Sequence, residues 1–177
     1  MGAEKGLVEF NGKPMVLHVL DCIQHITPDI LIVANDPAYL QFGYPVQADE
    51  TKGAGPLSGL VSGIRHSHHH LNLVLPCDMP LIDEGLLHWM VEGYADQAAA
   101  VLILDDRIQP LIGLYHRRAL PVLERMLAAR QLRMRSVVME LKAAVLDPGR
   151  FMQGFDPKGM RNFNSRAEID AYLQEAR

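Results

Sequence analysis

The sequence has few cysteines, no long apolar run and no recognisable targeting segment. Its two cysteines, Cys22 and Cys77, are far apart and lack CxxC spacing, so neither a disulfide framework nor a zinc knuckle is indicated. No apolar run approaches the ~20 residues that cross a bilayer. The N-terminal residues MGAEKG lack the apolar core of a signal peptide and the Ser or Thr of a myristoylation site. These absences predict a soluble, cytoplasmic protein with no membrane segment.

The sequence also lacks an excess of either charge and any sign of a linker. Lys and Arg number 17 and Asp and Glu number 21, giving a formal net charge of -4, and this balance argues against nucleic-acid binding. No Pro/Ser-rich tract, repeat or low-complexity segment divides the 177 residues. With 49% hydrophobic residues, the chain is expected to fold as a single domain over residues 1–177.

Apolar residues in the first half of the chain alternate between helical and strand patterns. Helical spacing follows Pro14 and Pro56, and a third helix is predicted from its N-cap Asp83 to about Tyr94. The unbroken apolar run at residues 30–33 predicts a strand of the kind that is usually covered on both faces. Residues 71–75 predict the next buried strand, and residues 99–104 predict another. Repeated alternation of strand and helix is typical of an α/β protein with a mostly parallel sheet.

The pattern changes after residue 100. Residues 101–104 and 109–115 flank the polar turn 105–107, which predicts an antiparallel ribbon added to the sheet. Further helices are predicted at 117–129 and 134–142. Near the end of the chain, Ser165 and Glu168 have the spacing of a capping box that opens a last helix.

Polar residues that directly follow the apolar runs are the first candidates for a site, because ligands of open parallel sheets bind outside the carboxyl ends of the strands. These residues lie at 34–36, at 48–57 and at 76–80. Pro76 and Pro80 restrict the backbone around Asp78, so we expect an exposed carboxylate held stiffly at a strand tip. Such a carboxylate suits Mg²⁺ shared with nucleotide phosphates. A turn aspartate that bonds its own backbone is an equally good interpretation.

Two further features favour phosphate binding only weakly. Gly53, Gly55 and Gly59 surround Pro56 at a predicted helix start, where free N–H groups attract anions. Their spacing matches neither GxGxxG nor a Walker A loop, and a plain glycine turn is the simpler interpretation. Lys5 is flexible enough to meet a phosphate as a point charge, but a lone lysine is more often solvated.

A group of histidines is a candidate metal site of low specificity. The group consists of His66, His68, His69 and His70, which lie between a predicted helix and a predicted strand. No carboxylate or cysteine stands near them at a spacing typical of a metal site. We therefore interpret this segment as a solvated loop.

Five short elements, in order along the chain, resemble the molybdenum cofactor guanylyltransferases. Residues 1–7, MGAEKGL, resemble the MGxxKxL end of that family's nucleotide loop, and Gly12-Lys13-Pro14 resembles the GKP that follows it. Asp49 with GPLSG at 55–59 resembles the D…GPLxG element, and PCDMP at 76–80 resembles PCDxP. NFNS at 162–165 with Glu168 resembles the terminal NxNTPE. Single elements are common, but five at compatible spacing are fairly specific for the family.

The resemblance implies a Rossmann-like three-layer α/β/α nucleotidyltransferase domain that transfers GMP from GTP to molybdopterin and releases pyrophosphate. It implies that Lys5 contacts GTP phosphate, that Asp49 helps to bind the nucleotide and that Asp78 binds GTP through Mg²⁺. Gly55, Pro56 and Leu57 belong to the same nucleotide site, and Asn162 and Asn164 lie on the molybdopterin side. Lys5 and Asp78 are the implied catalytic residues. No protein nucleophile is needed, because positioning and charge neutralisation suffice.

The family's nucleotide motif begins with LAGGxSxR, and this chain begins at the Met that follows the Arg. The resemblance therefore implies a first strand and a glycine-rich loop upstream of residue 1. The implied partners are GTP and molybdopterin, with transient contacts to molybdenum insertion proteins and apo-molybdoenzymes.

Three alternatives remain open at this point. A molybdopterin cytidylyltransferase or a sugar-phosphate nucleotidyltransferase has the same fold. Guanine presents N1–H and N2–H₂ donors that a carboxylate such as Asp49 accepts, and this favours GTP weakly. A noncatalytic scaffold for molybdoenzyme maturation is the alternative of another class.

Overall fold

The computed structural model describes residues 4–51 and 53–175. Met1 to Ala3, which carry the start of the MGxxKxL element, lie outside the described residues. In chain order the strands and helices are β1 (Glu9–Phe10), β2 (Lys13–Pro14), α1 (Met15–Ile23), β3 (Ile32–Val33), β4 (Val46–Gln47), α2 (Pro56–His66), β5 (Leu71–Val74), α3 (Glu84–Glu92), β6 (Ala99–Leu104), β7 (Arg107–His116), α4 (Leu120–Ala128), α5 (Met134–Glu140), β8 (Ala144–Leu146), α6 (Pro148–Phe151) and α7 (Arg166–Glu175).

The helix starts follow the capping signals in the sequence. Pro56 begins α2, directly after Gly55 at a φ of 63°. The Asp83 carboxylate accepts a hydrogen bond of 2.9 Å from the Leu86 N–H and so caps α3. At α7 the Ser165 hydroxyl accepts from the Glu168 N–H, whereas the Glu168 carboxylate accepts from the N–H of Asn164. The predicted capping box is therefore present, but its return bond reaches one residue farther upstream.

Apart from the β1–β2 ribbon, the strands form two sheets, which contain parallel and antiparallel pairs. Strand β3 pairs in parallel with β4, and a four-stranded sheet has the order β5-β7-β6-β8. Strands β5, β6 and β8 run in one direction, because β7 is antiparallel to β5 and β6 while β8 is parallel to β6. The α/β class and the antiparallel ribbon are confirmed. The ribbon strand β7 lies inside the sheet, between β5 and β6.

Helices cover both faces of the four-stranded sheet. Ala99 and Val101 pack with residues of α2, α4 and α5 in one apolar core. Ala100 and Leu102 pack with residues of α1 and α3 in a second core. Successive side chains of β6 alternate between these cores, as expected for a strand buried on both faces. This arrangement is the three-layer α/β/α architecture.

A third, smaller core joins the two ends of the described chain. It consists of Phe10, Met15, Phe163 and Ile169, with Tyr172 against it. The rings of Phe10 and Phe163 lie 5.2 Å apart, centroid to centroid. The β1–β2 ribbon and α7 are thereby held together, which brings Lys5 next to the residues that precede α7.

The ribbon of β6 and β7 contains a bulge. Val101 pairs with Gly113 while Leu102 pairs with Gln109, so residues 110–112 have no partner on β6. The fully buried Tyr115 donates a hydrogen bond of 2.6 Å from its hydroxyl to the Pro110 carbonyl. Bulges of this kind bend a strand and redirect its side chains.

Some predicted boundaries differ from the structure. The strand predicted at 30–33 is limited to Ile32–Val33, which pairs on one side with β4. Strand β8, helix α6 and the β1–β2 ribbon were not expected. Of the helices within residues 4–51 and 53–175, none is both long enough and apolar enough to cross a bilayer.

Candidate active site

Two cavities open at the carboxyl end of β5 and meet at Asp78. The first, here called the ribbon cavity, has a volume of about 650 Å³ and lies between Asp78, the β6–β7 ribbon and the segment before α7. The second, here called the strand cleft, has a volume of about 780 Å³ and lies between β3, β5 and the start of α2. Pro76, Asp78 and Leu111 line both of them. A group held at Asp78 is therefore accessible from either side.

Asp78 is more buried than its position at a strand tip suggested. The residue is only 8% exposed, so the expectation of an exposed carboxylate is wrong. Its backbone carbonyl accepts a hydrogen bond of 3.1 Å from the N–H of Phe163, which is itself fully buried. The segment before α7 thus packs over Asp78 and covers it. A buried carboxylate requires a charged or hydrogen-bonding partner.

Lys5 is that partner. Its Nζ lies 3.3 Å from Oδ2 of Asp78 and donates a hydrogen bond of 2.7 Å to Oδ1 of Asn164. The structure therefore brings together three residues that the family resemblance selected from distant parts of the chain. The Lys5 side chain is 44% exposed, which leaves its ammonium accessible to a ligand in the ribbon cavity.

Gly6 explains why the Lys5 backbone can lie so close to β5. A Cβ at this position would lie 2.5 Å from the Tyr39 hydroxyl and 3.0 Å from both Cβ and Sγ of Cys77. Only a residue without a side chain fits here, because real Cβ atoms essentially never approach other atoms this closely. Sequence reasoning did not single out Gly6, since the close approach involves residues far along the chain.

Cys77 precedes Asp78 but is not suited to nucleophilic chemistry. Burial raises the pKa of its thiol, and the negative charge of Asp78 raises it further. The nucleophilic form of cysteine is the thiolate, which these surroundings disfavour. Burial likewise raises the pKa of Tyr39, whose hydroxyl lies 3.9 Å from the Cys77 sulfur. Both groups are therefore neutral near pH 7.

Asp49 lies in the strand cleft and is oriented by Asn35. The Asp49 N–H donates a hydrogen bond of 3.0 Å to the Asn35 side-chain oxygen, and the Asn35 amide donates to Oδ2 of Asp49 at 3.5 Å. The other carboxylate oxygen, Oδ1, lies close to Gly59, since a Cβ added to that glycine would be 3.2 Å from it. Asn35 was recognised only as part of a polar segment after a strand, and its contact with Asp49 depends on the pairing of β3 with β4.

The start of α2 contributes mainly backbone to the strand cleft. Gly55 and Pro56 line the cleft, and Gly55 has φ 63° and ψ −155°, a conformation suited to glycine. The side chain of Leu57 is fully buried in the core beneath the sheet. Of Leu57, therefore, only the backbone is available to a ligand.

The remaining predicted residues divide between the two cavities and the rest of the surface, with Gly59 and His69 on the strand cleft. Asn162 lines the ribbon cavity together with two cations that the sequence analysis missed, Lys158 and Arg161. Their sequence signal is that of ordinary loop residues.

The histidines make separate contacts. His66 bonds to the Ser62 carbonyl, His69 lies 2.9 Å from Asp29, and His70 stacks on His116. In the described part of the chain, no group of three or more His, Cys, Asp or Glu side chains is arranged to hold a metal ion.

Known proteins provide an independent comparison. The sequence matches the family described as "MobA-like NTP transferase domain" over residues 1–145. A probable molybdenum cofactor guanylyltransferase from Flavobacterium johnsoniae is 29% identical over 171 residues, which are 96% of this chain and 88% of that protein. A molybdenum cofactor guanylyltransferase from Pseudomonas fluorescens is 35% identical, over 90% of this chain and 75% of that protein.

Solved structures agree on the fold. Molybdopterin-guanine dinucleotide biosynthesis protein A from Archaeoglobus fulgidus has a TM-score of 0.77 at 20% sequence identity, covering 99% of this chain and 91% of that one. A 4-diphosphocytidyl-2C-methyl-D-erythritol synthase from Anaerococcus prevotii has a TM-score of 0.73 at 14% identity, covering 97% and 92%. The expected Rossmann-like nucleotidyltransferase fold is confirmed. Since the family match spans most of the chain, and the 35% identical relative is aligned over nine tenths of it, this chain belongs to the MobA-like NTP transferase domain family.

Proposed function

We propose that this protein transfers GMP from GTP to molybdopterin and releases pyrophosphate. The observation that carries the proposal is the position of Asp78, which lines both cavities and is bonded to Lys5. A reaction between two small molecules requires two adjoining sites with charge-stabilising groups where they meet. The relatives are named molybdenum cofactor guanylyltransferases, which supports a guanylyl group as the group transferred and the molybdenum cofactor as its acceptor.

In this proposal the nucleotide occupies the strand cleft and the acceptor occupies the ribbon cavity. Asp49, Gly55, Pro56 and the Leu57 backbone bind the nucleotide. Its phosphates extend to Asp78, where the two cavities meet, and contact Lys5 from the ribbon cavity. Asn162 lies on the acceptor side, and Asn164 holds Lys5 in place through the 2.7 Å hydrogen bond.

Magnesium fits the residues at Asp78. Mg²⁺ is usually bound by one or two carboxylates together with substrate phosphates and water. Asp78 offers a buried carboxylate of which Oδ2 is 3.3 Å from Lys5, and no hydrogen bond from the described residues reaches Oδ1. When bound, the ion would neutralise charge on the phosphate oxygens of GTP.

The reaction is a displacement at phosphorus. An oxygen of the molybdopterin phosphate attacks the α-phosphorus of GTP, and the bond from that phosphorus to the oxygen bridging to the β-phosphate breaks. The electron pair leaves with pyrophosphate. Lys5 offsets negative charge beside Asp78, and the neutral Cys77 thiol takes no part.

Asp49 favours GTP over CTP. A carboxylate accepts the paired N1–H and N2–H₂ donors of guanine, whereas cytosine presents a single amino donor on its pairing edge. The Asn35 contacts fix the Asp49 backbone and one carboxylate oxygen, so the group is held for recognition rather than free to rotate.

The test is formation of the guanine dinucleotide from GTP, molybdopterin and Mg²⁺, followed through pyrophosphate release, with CTP in parallel. We expect turnover with GTP, and a loss of roughly 100-fold or more in kcat for Asp78→Asn. Asp106→Asn, at the tip of the β6–β7 turn and outside both cavities, is the matched control.

Three results would contradict the proposal. Preference for CTP would indicate a cytidylyltransferase. Binding of GTP and molybdopterin without any pyrophosphate release would indicate a scaffold. An Asp78→Asn variant that keeps its activity would show that the Asp78 carboxylate is not needed for the reaction.

A further inference from the structure

The ribbon cavity carries positive charge that the transfer reaction described above does not use. Apart from Lys5, the Lys and Arg side chains that line either cavity among residues 4–51 and 53–175 are Lys158 and Arg161. Within the same residues, neither forms an ion pair with a carboxylate. Their charges are therefore available to a ligand.

Arg161 is held in place by two aromatic rings. Its guanidinium carbon lies 5.3 Å from the centroid of Phe163 and 5.0 Å from that of Tyr172. Both rings belong to the small core that joins the two ends of the chain. Stacking on an aromatic face leaves the edge N–H donors of a guanidinium free. The side chain is thus oriented in advance without losing its capacity to donate hydrogen bonds.

The backbone fixes this cation near the proposed reaction centre. The Arg161 N–H donates to the Lys158 carbonyl at 3.1 Å, which closes the turn carrying both cations. Two residues later the Phe163 N–H is bonded to the Asp78 carbonyl. Arg161 and Asp78 are therefore linked through the backbone of one short segment and lie on the wall of a single cavity.

We propose that Arg161, together with Lys158, binds the phosphate monoester of the acceptor in the ribbon cavity. This inference rests on the proposed function. An acceptor phosphate and a nucleotide triphosphate are both anions and repel each other, so cations on the acceptor side lower the cost of bringing them together. Arginine is suited to this task because its planar fork binds phosphate through two parallel hydrogen bonds.

The test is steady-state kinetics of the full chain at varied molybdopterin and at varied GTP. Arg161→Gln is expected to raise KM for molybdopterin by about 10-fold or more, the loss expected for a charged hydrogen bond, and to leave KM for GTP unchanged. Arg161→Lys is expected to lose less, since the charge remains without the fork. In the unchanged protein KM for molybdopterin should rise with salt, and Arg161→Gln should weaken this dependence.

Arg150→Gln is the matched control. Arg150 also lies over an aromatic ring, at 5.1 Å from the centroid of Phe151, but it lines neither cavity. The Arg150→Gln variant should keep the original KM for molybdopterin, the original KM for GTP and the original salt dependence. Melting temperatures of the variants report any loss of folding separately.

The outcomes distinguish the inference from the function on which it rests. If the unchanged chain transfers GMP while Arg161→Gln keeps the original KM for molybdopterin and the original salt dependence, the inference is wrong and the proposed function stands. Equal increases in both KM values would also overturn it, because they would indicate general disruption of the site. A chain that transfers no GMP overturns the proposed function and the inference together.

Discussion

Replacing Gly6 with alanine is expected to disable the site without unfolding the protein. The added Cβ would lie 2.5 Å from the Tyr39 hydroxyl, about 0.9 Å closer than the 3.4 Å at which ordinary contact begins. It would also lie 3.0 Å from two atoms of Cys77. Tyr39 is buried and Cys77 directly precedes Asp78 in the chain, so neither residue moves easily. We therefore expect the segment that carries Lys5 to shift.

The expected size of the effect follows from two distances. The Lys5 to Asp78 separation is already 3.3 Å, so a displacement of several tenths of an ångström breaks this contact. Misplacement of a reacting group by about 1 Å typically costs ~100-fold in rate. Overpacking costs about 1–3 kcal/mol of stability, which a folded domain of this size usually tolerates. We therefore expect kcat to fall by roughly 100-fold with only a modest drop in melting temperature.

The assay compares kcat and melting temperature for Gly6→Ala, for Gly6→Ala combined with Tyr39→Phe, and for Gly149→Ala. The second variant removes the nearest clashing atom, so its kcat should be about tenfold higher than that of Gly6→Ala alone. In the third, the nearest atom to the new Cβ is an Asp147 oxygen at 3.4 Å, so no effect is expected. If Gly6→Ala keeps kcat within twofold, or if removing the Tyr39 hydroxyl restores nothing, the reasoning from close packing is wrong.

Three other substitutions test separate parts of the site. Lys5→Ala should raise KM for GTP or lower kcat by roughly 10- to 150-fold, the worth of a charged hydrogen bond; unchanged kinetics would contradict a phosphate contact. Cys77→Ala should keep kcat within a few-fold, since burial raises the pKa of the thiol and keeps it neutral; loss of activity with retained folding would indicate a nucleophile. Tyr115→Phe should raise KM for molybdopterin alone, because the Tyr115 hydroxyl holds the Pro110 carbonyl on the cavity wall. Tyr94→Phe, which also loses a hydroxyl-to-carbonyl bond but lines neither cavity, should not.

Local signals determined the elements that were predicted correctly. Pro56 and the Asp83 cap lie at the true starts of α2 and α3, and the run at 99–104 is strand β6 over its full length. The elements that were missed are short. Strand β8 has three residues and exists because it pairs with β6, a tertiary contact that leaves little trace in local periodicity.

Some residues of the candidate site could likewise be predicted from local sequence signals, and others could not. Asp49 and Asp78 follow strands, so their positions could be argued from the general rule for open sheets. Lys5 and Asn164 are separated by 159 positions along the chain, and no local pattern relates them. Only the family resemblance selected both residues. Lys158 and Arg161 had neither kind of signal, because their significance depends on the cavity they line.

The small size of the core beside Asp78 has an energetic consequence for the site. Lys5 and Asn164 reach Asp78 through the small core of Phe10, Met15, Phe163 and Ile169, which is separate from the two large cores on either face of the sheet. Small clusters with few buried apolar contacts open at a lower free energy than the centre of a sheet. The geometry at Asp78 is therefore set by one of the less stable parts of the fold. Loosening of α7 would move Lys5 and Asn164 away from Asp78 while the sheet that carries Asp78 remained intact.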